Sequence, residues 1–380
     1  MDFELTEEQK MVQQTARSFA QDVLAKTVNE RDEEEKFPYD EVKQMAELGF
    51  MGIAVPEEYN GSGLDVVSYV VMMEEIAKVD ASAAVVVSVN NSLVCDILLK
   101  FANDEQKEKY LKPLASGLKL GAFALSEAGA GSDPGGLICT AEKVGNEYIL
   151  NGTKNFTTNG STADVILVFA TINKEIGYKG ICAFIVEKET PGFRVSKKEK
   201  KMGIRSSDTC ELTFEDCHIP VENLLFQEGK GLKIALTALD SGRIGIASQA
   251  IGIAQASLDT ALSYAKERKQ FGKAISEFQA TQFKFADLAT EIDAARLLIY
   301  RAAALKDAGK KFELEAAMAK LKASQIAVRA SDEAVQILGG YGYIKDFPVE
   351  RYFRDAKITE LYEGTSEIQK LVIARQLLRE

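Results

Sequence analysis

The chain has 380 residues, enough for two or three cooperating domains and for a sizeable buried core. Apolar residues make up 46% and charged residues 27%, which excludes a disordered or fibrous chain. A formal charge of −11, from 46 basic and 57 acidic residues, disfavours a general polyanion or nucleic-acid binder, although a few local cations can still hold one phosphorylated ligand.

Five cysteines, Cys95, Cys139, Cys182, Cys210 and Cys217, form no CxxC pair, and the odd count fits reduced thiols. The single histidine, His218, leaves zinc sets and histidine-based triads poorly supplied, so it reads as a loop histidine at a strand end. The start, Met1-Asp2-Phe3-Glu4-Leu5, is acidic and carries no secretory pattern. No run approaches ~18 uninterrupted apolar residues, so no membrane span is expected. A cytoplasmic protein, or a mature mitochondrial matrix form, is the expectation.

Residues 1–120 read as helical. Thr6 to Gln9 spell a capping box, followed by Val12, Ala16 and Phe19 at helical spacing. Pro38 opens a second helix that Gly49 can close, and Asp65 and Asp104 are N-cap candidates. Ala81 to Val89 is apolar enough to be buried helix.

The period changes near Gly121. Tyr148 to Leu150, Asp164 to Ala170, Ile181 to Val186 and Cys210 to Phe214 favour strands, with turns expected at Gly145-Asn146, Asn151-Gly152 and Asn159-Gly160. Residues 121–228 form a β domain on this reading. From 229 to 380 the pattern is helical again, with long helices over about 232–268, 276–308 and 312–338 and a shorter one from about 366. Phe285, Leu288, Ile292, Ala295 and Ile299 make a stripe suited to bundle packing. The expected class is α+β, mainly α.

Three segments could carry chemistry. Phe123 to Asp133 runs from a strand into a loop of Gly and Ala with Ser126 and Ser132, which lets backbone approach a flat or phosphorylated ligand. It does not satisfy GxGxxG, since Pro134 stands three after Gly131, and an ordinary glycine-rich turn reads equally well. Asn151 to Gly160 is an edge-like strand offering amides, hydroxyls and Phe156 to a ring system, or a solvent-facing hairpin strand. In Ile358 to Glu367, Ser366 with Gln369 reads as a capping box. Glu363-Gly364 then lies in the preceding loop, where a carboxylate can point into a cleft, whereas Glu367 has a sufficient role in the helix's first turn.

Together, in this order, these segments resemble the acyl-CoA dehydrogenase family along essentially the whole chain. Asp240 to Ala247, Glu267 to Gly272, Ala334 to Gly340 and Arg354 to Lys357 add to the likeness. It is greatest to the short-chain (butyryl-CoA) branch, through Ser88 to Leu93, Ser126-Glu127 and Ser366 to Gln369. The resemblance implies an N-terminal helical domain, a β-barrel-like middle domain and a C-terminal four-helix bundle, in a homotetramer built as a dimer of dimers. It implies FAD bordered by Phe123, Leu125, Ser126, Gly131 and Ser132, with Phe156, Thr157 and Thr158 along the ring.

Arg268, Gln270, Phe271, Gln279 and the run Gln336, Ile337, Leu338, Gly339, Gly340 resemble stretches that reach FAD in a neighbouring subunit. Thr365 and Glu367 resemble the loop-helix contact to the cofactor, and Ser132, Asp240, Arg243 and Gly364 match positions that touch acyl-CoA. Glu363 matches the base that removes the α-proton while the β-hydrogen leaves as hydride to flavin N5. Electron-transferring flavoprotein is the implied electron acceptor. The same groups serve the reverse enoyl-CoA reduction, and a scaffold that kept the fold without catalysis is the reading from another class. Phe156-Thr157-Thr158 stands where the family commonly has Trp-Ile-Thr, and Ala128 where it commonly has Pro. An aromatic ring and the second hydroxyl survive, so FAD binding is still expected.

Overall fold

The structure, a computed structural model, describes residues 4–378, so Met1, Asp2 and Phe3 of the acidic start lie outside the described residues. The first third holds helices α1 (Glu7–Phe19), α2 (Ala25–Glu34), α3 (Tyr39–Glu47), α4 (Val66–Ala77), α5 (Ala81–Ser88), α6 (Asp96–Phe101), α7 (Asp104–Gln106) and α8 (Lys112–Ala115). The Thr6/Gln9 capping box forms as expected, and Gly49 follows α3 with φ of 75°. Asp65 caps α4 through Ser68 N–H. Asp104 does not cap: Asn103, one residue earlier, takes that role in its own capping box with Gln106.

One helix passes a test of length and composition for a membrane span. Ala81–Phe101, 21 residues, is long and apolar enough to span by composition, but 89% of its apolar window is buried inside the protein, which makes it a core helix. A π-helical turn over Val89–Cys95 joins α5 to α6 within it. There Asn90 and Asn91 tie the helix to neighbouring backbone, Asn90 donating to Met51 O and Asn91 to Phe50 O.

Strands β1 (Gly121–Ala124), β2 (Thr140–Val144), β3 (Glu147–Thr158), β4 (Val165–Thr171), β5 (Ile181–Glu187), β6 (Phe193–Lys198), β7 (Thr209–Pro220) and β8 (Leu224–Leu225) form one sheet. Its order is β6-β7-β3-β2-β4-β5-β8, with β1 parallel to β4. β4 is buried on both faces: Val165, Leu167 and Phe169 enter the core shared with the helices, while Ile166, Val168 and Ala170 enter the sheet's own core.

Asn151-Gly152 is not a turn. β3 runs through it with a register shift against β7 between Leu150 and Gly152, and a Cβ on Gly152 would meet Cys139 at 2.8 Å. The glycine serves close strand approach at a bulge. Beyond Asn151 the partner β2 has ended, so the rest of β3 pairs with β7, and its backbone also donates on the other side, from Asn155 N–H to Ser126 O.

The last third is α9 (Gly231–Glu267), a short ribbon of β9 (Lys269–Gln270) and β10 (Lys273–Ala274), then α10 (Gln279–Asp307), α11 (Glu313–Leu338), α12 (Val349–Ile358) and α13 (Ser366–Leu377). Leu288, Ile292, Ala295 and Ile299 are buried as the stripe requires, with Phe285 partly buried beside them. α9 lies close on α4, since a Cβ on Gly252 would meet Ala77 Cβ at 2.6 Å. All five cysteines are free and buried. His218 is exposed, with Nδ1 2.8 Å from Glu147 Oε2.

Candidate active site

The loop between α12 and α13 sets the centre of the site. Its end is built differently from the expected capping box. Thr365, not Ser366, caps α13 by accepting from Ile368 N–H at 3.4 Å. Gln369 instead turns its buried amide back onto the loop, donating to Gly364 O at 2.8 Å and Glu363 O at 3.3 Å. Glu363 and Gly364 both take positive φ, 52° and 92°. Glycine does so freely, but a glutamate there is strained and persists only where the surroundings hold it.

That conformation turns the Glu363 side chain onto α9. A Cβ on Gly242 would overlap Glu363 Oε2 and lie 2.8 Å from Leu93 Cδ2, so only glycine leaves room for the carboxylate. Oε2 is buried with no hydrogen-bond partner. Burial pushes the Glu363 carboxyl up to about 8, against the opposing pull of Lys320 and Arg243. Glu367, exposed in the first turn of α13, is held below its usual range by its own backbone N–H and the Thr365 hydroxyl. The two glutamates are thus separated by environment, and only Glu363 is poised to exchange a proton near neutral pH.

One turn along α9, a Cβ on Gly245 would overlap the Tyr69 hydroxyl, which donates to Ser88 Oγ at 3.1 Å. Tyr362 bonds through its hydroxyl to Gln249 Oε1, and Gln249 is fixed by donating to Ala81 O at 2.7 Å. Asp240 and Arg243 pair on the same turn as Gly242. Burial raises the Asp240 carboxyl to about 6, the Arg243 cation opposing it. Arg243 Nε is buried without a partner.

Lys320, fully buried on α11, donates to Gly364 O at 2.8 Å. Burial brings its ammonium down to about 8, with Glu363 the main opposing charge. Sequence reading missed Lys320, Gly242, Tyr69 and Gln369. For Lys320 a signal existed: it shares a helical face with Ala316, Ala323 and Ala327, all buried, an odd place for a solvated lysine.

The β-domain candidates gather on a separate wall. Leu125 is buried and Phe123 partly so, its ring 4.9 Å from that of Phe169. The loop behind them is held by Glu127, which accepts from Ile138 N–H, Cys139 N–H and the fully buried Lys154 ammonium. Lys154 also donates to Leu125 O at 3.0 Å. Cβ atoms on Gly129 and Gly131 would meet nothing within 4 Å, so the loop faces open space, as do exposed Gly131 and Ser132.

At a second register shift of β3, Phe156 has φ of 57° and is 69% exposed, while Thr157 Oγ is buried without a partner. Thr158 follows at the strand end. An open glycine loop, the exposed Phe156 ring and the half-buried Thr158 hydroxyl fit a flat cofactor with hydrogen-bonding edges, while Thr157 faces into the protein.

A third group lies apart, at the ends of α9 and α11. Arg268, Gln270, Ile337, Leu338, Gly339 and Gly340 line one open groove of about 600 Å³. Phe271, 93% exposed with φ of 53°, projects from the β9–β10 turn. Gln279 begins α10, and both it and Gln336 are exposed. Among the described residues no cluster of His, Cys, Asp and Glu has the makings of a metal site.

The three family domains of acyl-CoA dehydrogenase match this chain in order: the N-terminal domain over residues 6–118, the middle domain over 122–217 and the C-terminal domain over 229–378. The chain is 49% identical over 379 residues to a short-chain specific acyl-CoA dehydrogenase of Clostridium acetobutylicum, covering 100% of each. It superposes on butyryl-CoA dehydrogenase from Megasphaera elsdenii with a TM-score of 0.98 and 48% identity, over 100% of both chains. A chain in a structure described as electron transferring flavoprotein of Acidaminococcus fermentans gives 0.99 and 52%, again over 100% of both. With domain order, length and overall geometry in agreement, the chain belongs to the acyl-CoA dehydrogenase family of FAD-dependent oxidoreductases.

Proposed function

We propose that the protein oxidises short-chain acyl-CoA thioesters, of butyryl-CoA size, to the trans-2-enoyl-CoA, with Glu363 as the base that takes the α-proton. The observation that carries this reading is the Glu363 carboxylate: buried, unpartnered at Oε2, raised to about 8 and fitted against Gly242. An α-proton of a thioester is weakly acidic, so the base must be close, desolvated and aligned. The left-handed turn at Glu363-Gly364 supports that alignment by fixing the carboxylate on α9.

FAD, when bound, supplies the two-electron acceptor for the hydrogen leaving Cβ. Phe123, Leu125, Ser126, Gly131, Ser132, Phe156, Thr157 and Thr158 would hold it from the β domain, and Thr365 and Glu367 from the base loop. The groove of Arg268, Gln270 and Ile337 to Gly340, with Gln279, Phe271 and Gln336 exposed around it, would complete the site of a neighbouring subunit in a homotetramer. Asp240, Arg243, Gly364 and Ser132 would bind the acyl-CoA. We place the domain boundaries at 1–120, 121–228 and 229–380, so that the cofactor and substrate sites draw on both the second and the third domain. Short-chain relatives and the flavoprotein-associated neighbour support the substrate and an electron-transferring flavoprotein as partner.

The purified protein should be yellow, release one FAD per chain on denaturation, and bleach when butyryl-CoA is added without oxygen. A colourless protein that cannot be reconstituted with FAD would contradict the reading.

A further inference from the structure

The proposed function gives the buried Lys320 no task. Lys320 is fully buried in the first third of α11, where an unpaired ammonium costs several kcal/mol. Its Nζ donates to Gly364 O, and Gln369 Nε2 donates to the same oxygen, so two donors from two helices converge on one carbonyl of the base loop. That carbonyl follows Glu363, whose left-handed φ no local preference supports.

We propose that Lys320 is a positioning residue for the base. Tied to Gly364 O, its ammonium holds the Glu363-Gly364 turn in place and supplies the positive charge beside which the Glu363 carboxylate forms. The proposal rests on Glu363 being the base. Gln369 fixes the same turn but brings no charge.

The other charged or titratable groups around the pair do not substitute for Lys320. Arg243 on α9 lowers the Glu363 carboxyl less than Lys320 does, and its guanidinium is engaged by Asp240. Tyr69 on α4 and Tyr362 on the loop are pushed above the ordinary tyrosine range, mainly by burial, and stay neutral. Glu360 and Glu367 act on Lys320 more weakly than Glu363 does.

The test uses full-length, FAD-loaded Lys320→Met, Lys320→Gln and Glu363→Gln. Acetyl-CoA has no β-hydrogen, so exchange of its α-hydrogens into D2O, followed by NMR across pH, reports the base without any flavin reduction. Butyryl-CoA turnover gives KM and kcat alongside. Lys320→Met should lose ~100-fold in exchange and in kcat, with KM little changed. Its ascending pH limb should move up by roughly 1 unit, because a neighbouring cation no longer favours the carboxylate. Lys320→Gln keeps a donor for Gly364 O, so it should recover part of the rate but keep the shifted limb.

Wild-type exchange with an unshifted limb in Lys320→Met overturns the proposal. If that variant does not fold, an unshifted limb in Lys320→Gln does so instead. Glu363→Gln that still exchanges removes the base assignment itself. An inert Glu363→Gln beside unaltered Lys320 variants overturns only the role given to Lys320.

Discussion

Gly242 of α9 and Glu363 of the distant α12–α13 loop share one space: the carboxylate occupies the volume that any side chain at 242 would need. Helix propensity by itself favours Ala over Gly there by about 1 kcal/mol. Gly242→Ala should still fold, the helix gain set against overpacking at Glu363 and Leu93, while displacing Glu363 from its seat. Turnover of butyryl-CoA should fall ~100-fold, the cost expected of a base moved by about an ångström. A Gly242→Ala enzyme with normal kcat would show that the carboxylate works from another position.

The pH dependence follows from the direction of the Glu363 shift. Only the carboxylate can accept a proton, so kcat/KM in the free enzyme should rise with pH and level off above about 8. Stability has the opposite sign. A carboxyl whose folded value is raised favours folding at low pH, and that contribution is lost as pH rises toward 8. Glu363→Gln should match wild type in Tm near the ordinary glutamate range and exceed it above pH 8. Parallel pH profiles for the two proteins would contradict the buried carboxyl.

Phe271 tests assembly. A ring that is 93% exposed, on a turn with positive φ beside the Arg268 groove, has little use in an isolated chain. Phe271→Asp should weaken the proposed tetramer in sedimentation velocity and lower bound FAD together. A monomer that retains full FAD would sever the link between assembly and cofactor.

Thr158 offers a narrower test of the cofactor wall. It is half-buried at the end of β3, two residues beyond the exposed Phe156, so a bound ring that accepts a hydrogen bond from its hydroxyl gains about 1 kcal/mol from it. Thr158→Val should weaken FAD retention several-fold with little change in Tm of the apoprotein, measured by dialysis and calorimetry.

Much of the fold was legible because it rests on local chemistry. The Thr6/Gln9 box, Gly49, and the apolar stripe of α10 act over three or four residues. The Asn151-Gly152 misreading shows the limit, since the same dipeptide that makes a turn also makes a bulge when another strand, here at Cys139, lies against it. α12 went unread as an element although its amphipathic pattern follows Pro348. The proposal of Glu363 as base came from its glycine neighbour and the family resemblance. The surroundings of Glu363 were not legible, because Gly242, Lys320 and Gln369 become a site only when α9, α11 and α13 meet.

The most direct measurement compares Glu363→Gln with Glu367→Gln by anaerobic stopped-flow bleaching of the flavin with butyryl-CoA. The amide keeps the shape of Glu363 and removes its basic electron pair, and the residue precedes the Thr365 cap, so α13 should still form. Glu363→Gln should retain FAD, bind acyl-CoA and bleach ~1,000-fold or more slowly, as loss of a general base requires. Glu367→Gln should bleach at close to the wild-type rate. Near wild-type bleaching by Glu363→Gln, with the Glu367 variant inactive, would place the base on α13 and contradict the site described here.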